Sequence, residues 1–122
     1  MMAIAPAYLV GLGGALGAVL RHWVYGQLKR EGDPVPRATL TVNVLGSIVL
    51  GFVTFSGAGG DVALFVGTGA CGAFTTFSSF GFETVDRWSS GEKRAAVLNA
   101  VGNLVLSLGG VAVGWLVAGF VV

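Results

Sequence analysis

Charged side chains are scarce in this chain, which has seven basic and six acidic residues among 122. Glycine supplies 21 positions and hydrophobic residues 54% of the chain, a composition that excludes an ordinary soluble domain of this size. Four runs carry no charge, and each is close to the roughly 20 residues that cross a hydrocarbon core. These runs cover residues 1–20, 38–60, 62–82 and 95–122. The sequence therefore predicts an integral membrane protein.

The predicted fold is all-α, with four transmembrane helices in a single domain, residues 1–122. We place the helices at about residues 4–28, 37–56, 62–88 and 93–121. Glycines recur four positions apart in the first and the last helix, as Gly13 with Gly17 and as Gly110 with Gly114. This spacing predicts two faces at which another helix can approach closely.

Cysteine and histidine each occur once, as Cys71 and His22. These counts exclude a disulfide framework and a cluster of His and Cys metal ligands. The sequence also offers no pair of catalytic carboxylates and no nucleophile with a matching base, so we predict that the protein is not an enzyme. No nucleic-acid partner is predicted. The first uncharged run lacks the basic n-region and the cleavage site of a signal peptide, and we predict that it is a permanent helix.

The third predicted span contains a polar segment punctuated by glycine, residues 72–80 (GAFTTFSSF). We expect this segment to break the helix near its middle. Backbone groups freed at membrane depth need protein or a water-filled path to receive them. Broken helices of this kind mark ion and substrate sites in transporters and channels.

Two stripes of polar residues, each spaced i, i+4, i+8, follow the second and the fourth helix. They consist of Thr39, Asn43 and Ser47, and of Asn99, Asn103 and Ser107. One interpretation is that these groups only bond helices to one another, for about 0.6 kcal/mol each. The other is that they line a path. Two stripes beside a broken helix favour the path.

Phe77 and Phe80 lie one helical turn apart and alternate with hydroxyl side chains. Rings at this spacing are usually core or lipid-facing packing. Here they adjoin freed backbone groups, and the positive edge of an aromatic ring suits a small anion. Freed carbonyls near Gly72 and Thr75 would instead favour a cation.

Three motifs, in this order along the chain, resemble those of the Fluc/CrcB fluoride channels. They are Gly13–Arg21 (GGALGAVLR) in helix 1, Thr39–Gly46 (TLTVNVLG) in helix 2 and Gly72–Phe80 in helix 3. The similarity extends over nearly the whole chain. It implies a fluoride-selective passive channel that exports fluoride from the cytoplasm, as a multi-pass protein surrounded by lipid in the plasma membrane of a prokaryote.

The resemblance also implies an antiparallel dual-topology dimer with two pores and one central, structural sodium ion. The residues that it assigns to the fluoride pore are Thr39, Asn43, Phe77, Ser78, Phe80, Asn99, Asn103 and Ser107. It assigns Arg21 and Glu83 to a vestibule. The backbone carbonyls of Gly72 and Thr75, from both subunits, would hold the sodium ion.

The basic residues are unevenly distributed. Apart from Arg21, all of them lie in or beside the two loops on one side of the membrane, namely Lys29, Arg30, Arg37, Arg87, Lys93 and Arg94. By the positive-inside rule this bias favours one orientation, with both termini outside. A dual-topology homodimer should have little bias, so the partner is either a second copy or an oppositely oriented paralogue.

A different function remains open on the sequence alone, that of a small proton-coupled exporter of the multidrug type with four helices. Such exporters depend on a carboxylate in helix 1, whereas the nearest acids here, Glu31 and Asp33, lie in the loop that follows. A purely structural membrane subunit would leave the two stripes and the broken helix without a role. We therefore predict the channel.

Overall fold

A computed structural model describes residues 5–122, and the regular elements of that part of the chain are all helical. Helix α1 is Pro6–Leu28 and α2 is Arg37–Phe55. Helix α3 covers residues 60–74 in three successive pieces, Gly60–Val62, Ala63–Cys71 and Gly72–Phe74. Helix α4 is Ser78–Ser89 and α5 is Lys93–Val121.

Four spans in these described residues are long and apolar enough to cross a membrane: α1, α2, the pair α3 and α4, and α5. The prediction of an all-α fold with four spans is confirmed. The predicted start of helix 1 at Ile4 lies outside the described residues. Helix α3 begins at Gly60, two residues before the predicted start, with Asp61 in its first turn, where an acidic side chain is favourable near the helix N-terminus.

Helix α1 packs against a π-helical segment that the sequence does not predict, Ala63–Cys71. Gly13 and Gly17 are buried in this contact. A Cβ atom at Gly13 would meet the Phe65 carbonyl oxygen, and one at Gly17 would meet that of Ala70. The backbone of α1 can approach that of Ala63–Cys71 this closely because both residues are glycine. Their spacing predicts such a close approach.

Replacing Gly17 with alanine is expected to destabilise the fold by about 1–3 kcal/mol, because the added methyl group meets backbone atoms that cannot rotate away. Gly11→Ala is the matched control, since nothing lies within 4 Å of a Cβ atom built there. Alanine is also the better helix former, so the control should be neutral or slightly stabilised. Thermal unfolding in detergent measures both, and equal midpoints would contradict the close approach.

Helices α2 and α5 approach each other just as closely. A Cβ atom at Gly51 would lie 2.5 Å from the Val111 carbonyl oxygen, and one at Gly110 would lie 2.9 Å from that of Val44. At Gly114 it would meet the Ile48 carbonyl oxygen. This contact brings the two predicted polar stripes next to each other.

The loop between α1 and α2 is fastened to two helices. The Asp33 carboxylate accepts hydrogen bonds from Arg37 Nε at 3.1 Å and Arg37 Nη2 at 3.0 Å. These hydrogen bonds from Arg37 hold the pKa of the Asp33 carboxyl below its usual range, so the carboxylate is ionised at neutral pH. Arg87 Nη2 of α4 donates to the Asp33 carbonyl at 2.8 Å.

Candidate functional site

The third span breaks between Phe74 and Ser78, where Thr75 has an extended backbone (φ −78°, ψ 161°). The Thr75 amide still donates to the Cys71 carbonyl at 3.0 Å, as in a helix. The Thr76 amide does not continue that pattern, because it donates to Asn43 Oδ1 of α2 at 2.8 Å. In an unbroken α-helix this amide would bond the carbonyl four residues earlier. The break therefore frees the Gly72 carbonyl.

Asn43 receives both backbone groups of Thr76. Its Oδ1 accepts from the Thr76 amide, and its Nδ2 donates to the Thr76 carbonyl at 3.1 Å. The same Nδ2 donates to Asn103 Oδ1 at 3.0 Å. We call this arrangement the Asn43 clamp. It explains how an irregular backbone persists at membrane depth, where water does not satisfy its polar groups.

A chain of side-chain amides continues from the clamp toward α4. Asn103 Nδ2 donates to Asn99 Oδ1 at 3.0 Å, and Asn99 Nδ2 donates to Thr84 Oγ1 at 2.8 Å. Thr84 Oγ1 in turn donates to the Phe80 carbonyl at 2.8 Å. We call Asn43, Asn103, Asn99 and Thr84 the polar chain. Because a carboxamide has two N–H groups and Asn99 and Asn103 each use one in these bonds, both retain a donor.

The phenylalanine rings and part of the polar chain share one open cleft of about 820 Å³. The ring centroids of Phe77 and Phe80 are 5.7 Å apart, and the ring planes are inclined by 57°. Phe77 is 82% exposed, whereas Phe80 is half-buried. The predicted site residues that line the cleft are Asn43, Gly72, Thr75, Phe77, Phe80, Asn103 and Ser107.

Other predicted site residues lie apart from the cleft. Thr39, which is fully buried, donates to Glu83 Oε1 at 2.8 Å. Since its one proton is used there, the Tyr25 hydroxyl is the donor in the 2.6 Å bond between Tyr25 and Thr39 Oγ1. The three side chains line a small pocket of about 120 Å³ near the loop that joins α1 to α2.

A third pocket, of about 320 Å³, lies between α1 and the start of α4. It is lined by Ala18, Arg21, His22, Tyr25, Thr76, Ser78 and Ser79, and we call it the Arg21 pocket. The predicted pore residue Ser78 belongs here and not to the cleft. Arg21 Nη1 donates to the Thr75 carbonyl at 3.4 Å, so the predicted vestibule residue touches the break itself.

Sequence reasoning missed three residues of this network: Tyr25, Thr76 and Thr84. Thr76 Oγ1 accepts from the Ser79 amide at 3.2 Å and so satisfies one free amide in the first turn of α4. Thr84 belongs to no polar stripe, because Phe80, four residues before it, is apolar and Thr76 lies in the break before α4. Tyr25 gives no comparable signal either.

Residues 5–122 contain no group of three or more His, Cys, Asp or Glu side chains that could hold a metal ion. A cation at the break would instead meet backbone oxygens. Gly72 and Thr75 both line the cleft, and their carbonyls lie at the C-terminal end of α3, where the helix dipole favours positive charge. This donor set fits sodium. In transporters, sodium is coordinated by the C-terminal ends of half-helices and by the carbonyls of unwound segments. One chain supplies only two of the four oxygens that the resemblance implies for such a site.

The comparisons with known proteins agree with the resemblance. Residues 8–115 match the family model described as "CrcB-like protein, Camphor Resistance (CrcB)". The chain is 55% identical over 115 residues to the fluoride-specific ion channel FluC 2 of Haloarcula marismortui, an alignment that covers 94% of this chain and 95% of the relative. It is 48% identical over 111 residues to FluC 1 of Halobacterium salinarum, with 91% and 92% covered. It is 43% identical to FluC of Thermus thermophilus, with 88% of each covered.

These relatives are named as ion channels and not as enzymes, which confirms the prediction of a non-enzymatic protein. The same comparison confirms the resemblance drawn from the three motifs. The chain belongs to the CrcB family.

Proposed function

We propose that this chain forms a fluoride-selective passive channel that exports fluoride across the plasma membrane of a prokaryote. The observation that carries the proposal is the polar chain, which begins at the break in the third span. Two of its members, Asn43 and Asn103, line one cleft together with the Phe77 and Phe80 rings. Its relatives carry the name of fluoride-specific ion channels. The proposed pore keeps the predicted residues. Asn43, Phe77, Phe80, Asn103 and Ser107 line the cleft, and Thr39, Ser78 and Asn99 lie outside it.

The chemistry of the cleft suits a small, strongly hydrated anion. An isolated ion costs tens of kcal/mol when moved from water to low dielectric, so its water must be replaced step by step. Amide N–H groups and ring edges in series do this without a fixed charge in the narrow part, as rapid conduction requires weak sites. With an inside-negative potential each departing anion gains about 2.3 kcal/mol per 100 mV, so passive export suffices.

The proposed assembly is an antiparallel dual-topology dimer with two pores and a central sodium ion. Two observations support a partner at the cleft. Phe77 is 82% exposed beside polar backbone groups, and a single chain offers only the carbonyls of Gly72 and Thr75 to a cation. A second subunit related by a two-fold axis would double these oxygens to four.

The distribution of charge bears on which partner the chain takes. The six basic residues outside α1 lie at one end of the bundle, and the opposite end carries Asp61 alone in its hairpin. This bias favours one orientation, and an antiparallel dimer would then need an oppositely oriented paralogue. The homodimer is the simpler assembly, and expression of the chain by itself separates the two.

Fluoride efflux from liposomes tests the function and the partner together. The chain is expressed alone, purified and reconstituted into liposomes with sodium present. Efflux of fluoride and of chloride is then recorded under a membrane potential set by a potassium gradient. We expect fluoride efflux well above that of empty liposomes and no chloride efflux. Equal passage of chloride would refute the selectivity. If the chain expressed alone gives no fluoride efflux and co-expression with a paralogue restores it, the assembly is the heterodimer. Absence of fluoride efflux from both preparations would refute the channel.

The proton-coupled exporter is not favoured. Such a protein needs a carboxylate in its first helix, and residues 6–28 contain neither aspartate nor glutamate. The polar groups at the centre of the structure are amides and hydroxyls, which do not change charge with pH.

A further inference from the structure

Arg21 is the one arginine or lysine of α1, and it lies inside the helix. It lies seven positions before Leu28 at the helix end, which places its Cα about 10 Å along the axis from that end. A guanidinium at this depth needs a polar partner. Its partner in residues 5–122 is the Thr75 carbonyl, at 3.4 Å from Nη1.

The Thr75 carbonyl lies where a helix end attracts cations. Helix α3 ends at Phe74, and its terminal carbonyls together act as roughly half a negative charge. The Asn43 clamp also diverts the Thr76 amide from the Gly72 carbonyl. In a single subunit, the positive charge that contacts the Thr75 carbonyl is the Arg21 guanidinium.

We propose that Arg21 competes with the sodium ion for the Thr75 carbonyl. Sodium binding then turns the Arg21 guanidinium away from the break and into the Arg21 pocket. This inference rests on the proposed function, in which the same carbonyl coordinates sodium. Two positive charges at one oxygen repel each other, and the side chain is the movable one. Released, it faces His22, Ser78 and Ser79, where it adds positive charge among groups that can donate to anions.

The competition couples the two ions. If sodium moves Arg21 toward the Arg21 pocket, an anion held there by Arg21 must in turn favour sodium at the break, because coupling between two sites is reciprocal. Sodium would then be more than a structural ion. It would set the charge of the pocket through which the anion is attracted.

Sodium binding can be measured without recording flux, since Cys71 is the sole cysteine, is 5% exposed and directly precedes Gly72. The rate at which a maleimide dye labels Cys71 in the purified dimer is followed while sodium replaces N-methylglucamine at constant ionic strength. Sodium at the break is expected to slow labelling. In Arg21→Gln, half-maximal protection is expected at a sodium concentration that is lower than in the wild type by about fivefold or more, as for a modest coupling between sites.

Arg30→Gln is the matched control, because it also removes one positive charge but lies in the loop after α1; its midpoint should equal that of the wild type. Arg21→Met replaces Arg21→Gln if the latter gives no stable dimer, since a linear apolar side chain suits the membrane. A further test needs no substitution: fluoride should lower the sodium midpoint of the wild type.

The outcomes separate the inference from the proposed function. Protection of Arg21→Gln or Arg21→Met at the wild-type midpoint or above it would overturn the competition while leaving the sodium site intact. A wild-type midpoint that fluoride leaves unchanged would overturn the coupling. Absence of sodium-specific protection in the wild type would refute the sodium site of the proposed function itself.

Discussion

Asn43→Leu is expected to destabilise the protein by about 3 kcal/mol or more and to abolish fluoride efflux. Leucine has the branched shape of asparagine and the same number of side-chain heavy atoms but makes none of its three hydrogen bonds. The Thr76 amide and carbonyl then lose their partners at a depth without water, and each buried unpaired group costs about 1–3 kcal/mol. Thermal unfolding in detergent and efflux from liposomes measure the two effects.

Thr54→Val is the matched control on the same helix. It also exchanges a polar side chain for an apolar one, but the Thr54 hydroxyl donates only to the Leu50 carbonyl of its own helix, at 2.7 Å. Both stability and efflux should stay near the wild-type values. If Asn43→Leu unfolds at the same temperature as this control, the break is held by something other than the Asn43 clamp.

The clamp shows what sequence could and could not reveal. The uncharged runs predicted four spans, because few elements other than membrane helices avoid charge for 20 residues. The glycine and hydroxyl residues of the third span predicted its break. The sequence could not predict that Asn43 binds the backbone at the break, since Asn43 and Thr76 are 33 positions apart. Spacing along one helix does not indicate which backbone group a side chain contacts on another helix.

The two polar stripes illustrate the same limit from the other side. Their spacing correctly grouped Asn99 with Asn103, which bond to each other. It also grouped Thr39 with Asn43, yet Thr39 bonds Tyr25 and Glu83 instead. Helix periodicity identifies a common face, whereas the packing of α2 against both α4 and α5 divides that face between two sites.

The structure also joins two interpretations that the sequence left as alternatives. Asn43, Asn99 and Asn103 do bond α2, α4 and α5 to one another, as helix-linking amides would. The second N–H groups of Asn99 and Asn103 are not used in those bonds. A residue can therefore fix a helix contact with one N–H and offer the other to a passing anion, so the two roles do not exclude each other.

Phe77→Ile and Phe80→Ile are each expected to reduce fluoride efflux to the level of empty liposomes while the dimer persists. Isoleucine keeps an apolar side chain but has no ring, and so no positive edge to face an anion. Because Phe77 is 82% exposed in the subunit, its replacement should change folding stability by no more than about 0.5 kcal/mol. Efflux and size-exclusion chromatography of the same preparations separate conduction from assembly.

Phe82→Ile provides the control, since Phe82 lies on α4, is 73% exposed and is not among the residues that line the cleft. Its efflux should match that of the wild type. Normal efflux in both test variants would mean that the rings serve only packing. Loss in Phe80→Ile alone would assign the anion contact to the half-buried ring, which is also the one whose backbone carbonyl ends the polar chain.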